Sequence, residues 1–406
     1  MRDPKRKDTE VLDITKDVKW IGILDYDIVT FDVVMETEFG TTYNSYYVDG
    51  EKKAIIETSK EKFWDVYLEK IKKVVDPAEI DYIVLNHTEP DHSGNLANLL
   101  KIAPKAKVVA SRIAINYLQD LLGQPFEHIV AKDGEILDLG NKTLRFISAP
   151  NLHWPDSMYT YLEEDKLLFT CDSFGCHYAH HKMYDNQVGD FSEAFKYYFD
   201  VILKPFSKFM LKAIEKIRPL DINAVLTGHG PLLINDWKKW VDISEQYSNE
   251  AIAAPQDDFV FIPYVSAYDN TGKMAKAIAE GVRSVGNLKV EVADIEMMPL
   301  GDLDERLTRC AGVVVGSPTI NQNILLQIYK LFALISPIRD KGKIAGAFGS
   351  YGWSGEGSKL IANNLSSLKL NMIGEGVFAK FTPHQEQFEQ CFAYGKKIGE
   401  AVLNGK

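Results

Sequence analysis

A chain of 406 residues with 46% hydrophobic side chains is long enough for two ordinary cores. Its net charge of −11 disfavours nucleic acid as a general partner, and no apolar run approaches the roughly 20 residues that cross a bilayer. Four scattered cysteines (Cys171, Cys176, Cys310 and Cys391) and a basic start without a secretory apolar region point to a reducing, cytoplasmic setting.

The first informative segment is His87-Thr88-Glu89-Pro90-Asp91-His92-Ser93-Gly94-Asn95, directly after the apolar run Tyr82-Ile83-Val84-Leu85. An apolar run closed by polar and glycine punctuation reads as a buried strand entering a loop, where ligands can converge on one point. If the segment stays extended, residues 87, 89 and 91 point one way and His92 the other, so the motif can address two neighbouring ions. Zinc hydrolases carry His-x-His-x-Asp-His here. Glu89 replaces the second imidazole with a hard, anionic oxygen, which favours redox-active ions such as iron.

Three more polar residues cap apolar runs downstream. His153 follows Leu144-Arg145-Phe146-Ile147, Asp172 ends Leu167-Leu168-Phe169-Thr170-Cys171, and His229 follows Ala224-Val225-Leu226. His177, His180 and His181 read foremost as a polar loop, with a role beside the metals as the alternative. Tyr178, Tyr184, Tyr197 and Tyr198 read foremost as packing residues, with donation of a hydrogen bond or proton to a metal-bound species as the alternative, and His128 and His384 as structural ones.

A polar, proline-containing stretch at residues 253–258 separates two periodic regions and reads as a domain boundary, giving units 1–254 and 255–406. A strand from Phe259 to Val265 then meets the loop Ser266-Ala267-Tyr268-Asp269-Asn270-Thr271-Gly272 and a helix from about Lys273, with Met274 to Val285 helical. A hydroxyl-rich strand-to-helix loop offers N–H groups and hydroxyls to a phosphate. Two more strand-to-loop passages follow, one ending in Ser317-Pro318-Thr319-Ile320-Asn321. The other ends in Ser350-Tyr351-Gly352-Trp353-Ser354-Gly355-Glu356. Such repetition suggests a doubly wound parallel sheet with its ligand at the carboxyl strand ends. Residues 388–403 read as a closing helix.

Over nearly its whole length the chain resembles the flavodiiron proteins, or A-type flavoproteins. The carriers of the resemblance are His87, Glu89, Asp91, His92, His153, Asp172 and His229, with Tyr-Gly-Trp-Ser-Gly-Glu at residues 351–356. The resemblance implies an N-terminal metallo-β-lactamase-like αββα sandwich and a C-terminal flavodoxin-like domain. It implies two irons, one on His87, Glu89 and His153, the other on Asp91, His92 and His229, bridged by Asp172. The residue matching His92 is not a ligand in every member. It also implies FMN, its phosphate on Ser266, Tyr268, Asn270 and Thr271. Ser317, Pro318, Thr319 and Asn321 would flank the ring with Ser350, Tyr351, Gly352, Trp353, Ser354 and Gly355. Asp269 departs from the glycine many flavodoxins carry; aspartate tolerates a left-handed backbone, but its carboxylate must turn from the phosphate.

The activity so implied is reduction of O2 to water or of NO to N2O, with electrons from rubredoxin or a reduced deazaflavin coenzyme. The implied assembly is a head-to-tail homodimer, or a dimer of such dimers. Lys52, Lys53, Lys341 and Lys343 are candidates for receiving an acidic donor. A metal-dependent hydrolase fused to a flavodoxin-like domain is the alternative; Glu89 argues against it.

Overall fold

The computed structural model describes residues 8–31, 35–253 and 257–405. The basic start and residues 254–256 of the expected boundary lie outside them. The chain divides into two compact units, Met1–Ile252 and Ala253–Lys406.

Beside two small two-stranded sheets, the first unit holds two large ones. One runs in sequence order through β1 (Leu12–Asp13), β2 (Val18–Trp20), β3 (Tyr46–Val48), β4 (Lys53–Ile56), β5 (Ile80–Leu85), β6 (Lys107–Ser111) and β7 (His128–Ala131). Its first three pairings are antiparallel and its last three parallel. The other comprises β8 (Ile136–Asp138), β9 (Thr143–Ser148), β10 (Met158–Leu162), β11 (Leu167–Cys171) and β12 (Ala224–Thr227), with only β11 and β12 parallel.

Alternation along the strands explains the layering. Ala54, Ile56, Val84 and Val109 join Phe146, Leu162, Phe169 and Leu226 in a core between the sheets. Their neighbours Ile55, Ile83, Leu85 and Val108 face outward and pack with Tyr67 and Ile71 of the helix Trp64–Val74 and Ile115 of the helix Arg112–Leu122. On the far side Tyr159, Leu168 and Val225 pack with Met210 and Ile214 of the helix Ser207–Ile217 and Trp240 of the helix Trp237–Ala253. Strands covered on both faces read as unbroken apolar runs, and the result is an αββα sandwich.

The second unit is a parallel sheet of β13 (Asp257–Tyr264), β14 (Lys289–Asp294), β15 (Cys310–Gly316), β16 (Ile344–Tyr351), β17 (Asn371–Met372) and β18 (Val377–Lys380). The order is β14-β13-β15-β16-β17, with β18 also paired to β16. One face packs Phe261, Val313 and Val315 with Leu303, Ile328 and Ile361; the other packs Val260, Ile262 and Val314 with Met274, Ile278 and Ile398. This is the doubly wound, flavodoxin-like architecture. Among the described residues no helix is long and apolar enough to cross a membrane.

Four local expectations need correction. Residues 87–91 do not stay extended, because Pro90–Ser93 forms a short helical turn with proline at its first position, where a missing N–H costs nothing. The helix placed from about Lys273 through Val285 spans Asn270–Arg283: Asp269 is left-handed at φ 54°, and its carbonyl accepts the Lys273 N–H at 3.0 Å. Lys343 is no surface lysine; it is buried, ion-paired with Asp340 at 2.9 Å, and donates to the Thr308 carbonyl. The closing helix is longer than expected, Gln385–Asn404, and His384 caps it.

Candidate metal centre and flavin cleft

Every residue of the candidate centre leaves the carboxyl end of a strand in the first unit. His87, Glu89, Asp91 and His92 follow β5, His153 follows β9, Asp172 follows β11 and His229 follows β12. The turn at Pro90–Ser93 splits the motif into two groups. In the first, Glu89 Oε2 lies 3.2 Å from His87 Nε2 and 3.0 Å from His153 Nε2. In the second, Asp91 Oδ2 lies 3.1 Å from His229 Nε2 and 3.4 Å from His92 Nε2.

Asp172 faces both groups, one oxygen to each. Its Oδ2 is 3.5 Å from His87 Nε2 and 3.7 Å from His153 Nε2. Its Oδ1 is 3.1 Å from His92 Nε2 and 3.3 Å from His229 Nε2. Donor atoms about 2.0–2.2 Å from one tetrahedral ion stand about 3.3–3.6 Å apart, so both groups have the spacing a transition-metal ion requires.

The electrostatics agree. Among the described residues, Asp91 Oδ1 and Oδ2 and Asp172 Oδ2 are buried without a hydrogen-bond partner, a costly arrangement unless cations join them. Burial works against the His229 imidazolium, yet Asp172 and Asp91 outweigh it and raise its pKa to about 10. Burial likewise opposes the Asp172 carboxylate, but His92, His229 and His87 hold its pKa well below the usual range. Protons on these imidazoles thus stand in for metal charge, and metal binding must displace them.

One neighbour, Asp156, was not singled out from the sequence, and two others do more than expected. Asp156 backs His87, both carboxylate oxygens 3.3 Å from Nδ1, while its Oδ2 accepts from the Thr88 N–H and hydroxyl. The Tyr198 hydroxyl donates to Asp172 Oδ1 at 3.2 Å, so it does more than pack. His177 is likewise more than loop: it is buried, stacked on Phe31 at 4.4 Å, and its ring lies 5.2 Å from that of His229. Its Nδ1 pairs with Thr41 Oγ1 at 2.8 Å, and its Nε2 has no hydrogen-bond partner among the described residues. His180 and His181 stack only on each other at 4.5 Å and keep the loop reading. Asp156 sits three residues after His153, the one local signal available for it.

In the second unit three strand-end loops meet around a cavity of about 290 Å³. Ser266, Tyr268, Asn270, Pro318, Thr319, Asn321, Ser350, Tyr351, Gly352 and Trp353 line it, together with Ala267, Ile320 and Phe381. Phe381 had no sequence signal; it arrives from the end of β18, its N–H bonded to the Tyr351 carbonyl. Thr271, Ser317, Ser354 and Gly355 are not among the lining residues. Thr271 is buried behind the loop with its hydroxyl 3.3 Å from Ser350 Oγ, and Ser317 Oγ bonds the Pro318 carbonyl. The Ser266 hydroxyl is buried without a hydrogen-bond partner among the described residues, as a donor awaiting an anion would be. Asp269 Oδ1 lies 2.5 Å from where a Gly272 Cβ would stand, so only glycine at 272 leaves room for that carboxylate.

Comparison with known proteins agrees with both units. The family described as ODP family beta lactamase matches residues 42–230, and the flavodoxin family matches residues 262–395. The flavo-diiron protein FprA2 of Clostridium acetobutylicum is 39% identical over 94% of this chain and 97% of its own. The chain belongs to the flavodiiron family. The type A flavoprotein fprA of Rhodobacter capsulatus is another relative, 36% identical over 94% of this chain and 89% of its own. The crystal structure of the Giardia intestinalis flavodiiron protein superposes with a TM-score of 0.69 at 29% identity, covering 98% of each chain. The rubredoxin oxygen:oxidoreductase of Desulfovibrio gigas gives 0.71 at 29% identity, over 97% and 99%. Flavodiiron proteins are oxidoreductases that carry a diiron centre and FMN. The paired donor groups suit the first cofactor, and the loop cavity with its orphaned Ser266 hydroxyl suits the second.

Proposed function

We propose that this chain reduces O2 to water, NO to N2O, or both, in the cytoplasm. His87, Glu89 and His153 would hold one iron and Asp91, His92 and His229 the other, with Asp172 between them. The observation that carries this reading is the carboxylate of Asp172, which turns one oxygen to each donor group. A bridge of that kind suits two ions acting on one small substrate.

When bound, the irons and FMN together supply four electrons, two from each cofactor, enough for one O2 or for two successive NO pairs. The protein's own groups set the conditions. Three carboxylates balance most of the charge of two ferrous ions, and Asp156 and the Thr42 carbonyl fix the His87 and His229 rings. The Tyr198 hydroxyl steadies Asp172, and Phe31 with His177 closes an apolar side over His229. In the other unit, Ser266, Tyr268, Asn270 and the first turn of Asn270–Arg283 would hold the FMN phosphate. Trp353, 79% exposed at the cavity rim, would cover the ring. Thr271 and Ser317 would act from behind, by fixing Ser350 and Pro318.

Electrons would come from a separate donor, a rubredoxin or a reduced deazaflavin coenzyme. Similarity to the rubredoxin oxygen:oxidoreductase favours the first. The working unit would be a head-to-tail dimer in which the flavin of one chain serves the irons of the other. Steady-state consumption of O2 and of NO under one donor tests the activity; iron- and FMN-loaded protein that consumes neither gas overturns it. Mixing a metal-deficient variant with a flavin-deficient one tests the dimer. Recovered turnover after subunit exchange supports transfer between chains, and none in proven mixed dimers refutes it.

A further inference from the structure

A histidine that binds metal through Nε2 carries its proton on Nδ1, and the acceptor there fixes both tautomer and ring direction. His87 has Asp156 at 3.3 Å and His229 has the Thr42 carbonyl at 2.5 Å. His92 lacks so close a partner. Its Nδ1 lies 3.5 Å from Cys171 Sγ and 4.0 Å from Glu57 Oε2.

Glu57 is an unusual residue to find there. It ends the run of β4 at a left-handed φ of 59° and is 1% exposed. Its backbone is held on both sides: the N–H donates to the Val84 carbonyl, and its carbonyl accepts from the Ser45 and Tyr67 hydroxyls. One carboxylate oxygen, Oε1, accepts the Asn86 N–H at 2.8 Å. The other, Oε2, is buried with no hydrogen-bond partner among the described residues and lies on the Nδ1 side of His92. A buried, half-satisfied carboxylate on a strained backbone is costly, and the nearby ring N–H is the group that can offset that cost.

We infer that Glu57 is the positioning residue of the second donor group, taking the His92 Nδ1–H when Nε2 binds metal. The competing acceptor, the Cys171 thiol, is a weak one. Glu57 would then match Asp156, with one carboxylate behind each histidine of the β5 loop. Its charge would also help balance two dications that the three ligand carboxylates alone leave net positive. The inference rests on the metal-centre reading proposed above.

The test is anaerobic reconstitution of wild type and Glu57→Gln with ferrous iron, followed by metal content, a chelator titration and the magnetic resonance spectrum of the NO adduct. Glutamine keeps an oxygen for the Asn86 N–H, so the metal-free variant should melt close to wild type. The expected result is two irons in wild type, and in the variant one iron bound about 10- to 100-fold more weakly than the other. A half-integer-spin signal from isolated ferrous-nitrosyl centres should accompany it. A variant that holds both irons at the wild-type chelator midpoint overturns the inference. So does a purely structural outcome, in which melting falls while both irons stay. Wild type holding fewer than two irons overturns the metal-centre reading itself, and the inference with it.

Discussion

The Tyr198 hydroxyl donates to Asp172 Oδ1 at 3.2 Å, from 26 residues away and from the helix Ser192–Tyr198. Asp172 is therefore held from the side as well as by its four histidines. Asp172→Ala should remove the anion both donor groups share, and iron analysis should find at least one ion lost. Tyr198→Phe should keep both irons and lower stability by roughly 1.5–3 kcal/mol, the worth of a hydrogen bond to a charged group. Full iron and full turnover in Asp172→Ala would show that the carboxylate is no bridge.

Gly228 leaves space that His92 fills. A Cβ at that position would stand 2.7 Å from His92 Cε1 and 2.9 Å from the Cys171 carbonyl carbon. Neither can yield easily, since one is a buried ring and the other is backbone. Gly228→Ala should cost about 1–3 kcal/mol in denaturant unfolding and reduce iron content. Gly301→Ala, where nothing lies within 4 Å of the added methyl, serves as the neutral control.

Heat-released flavin should be FMN on chromatography, because a single strand-to-helix loop without a dinucleotide glycine pattern suits a monophosphate. Thr271→Ala removes the hydroxyl beside Ser350 Oγ and should weaken flavin binding roughly tenfold by fluorescence titration. Predominant FAD in the released fraction would contradict the assignment.

Lys70 gives a pH dependence unrelated to the metals. It is fully buried, its Nζ donating to the Gly22 carbonyl at 2.5 Å and lying 4.1 Å from the Trp20 ring centre. Burial pushes its pKa down to about 8. Between that value and the ordinary lysine range the unfolded chain holds a proton that the folded chain does not, so stability should rise with pH over that interval. The full rise is about 3 kcal/mol, and below pH 8 the cost of the buried charge is present in full. Urea unfolding of wild type and Lys70→Met from pH 7.5 to 10.5 checks this. Equal slopes in the two proteins would exclude Lys70 as the source.

The sequence determined the donor chemistry and the kind of fold, because those signals are local. Four ligand-type residues within six positions, three polar caps on apolar runs and three strand-to-loop passages are all contiguous patterns. Pro90 even marked the helical turn that an extended reading of residues 87–91 overlooked. Only the tertiary structure decided which donors share a group and what stands behind them. Glu57 reaches His92 across 35 positions, Asp156 reaches His87 across 69, and Thr41 pairs with His177 across 136. None has a periodic or motif signature, since a buried polar contact needs only two complementary groups brought close together. That distance is set by sheet register and by which strand end each loop leaves. The same holds for Thr271 and Ser317, whose hydroxyls face protein rather than the cleft; at Thr271 the loop's first turn is already helical.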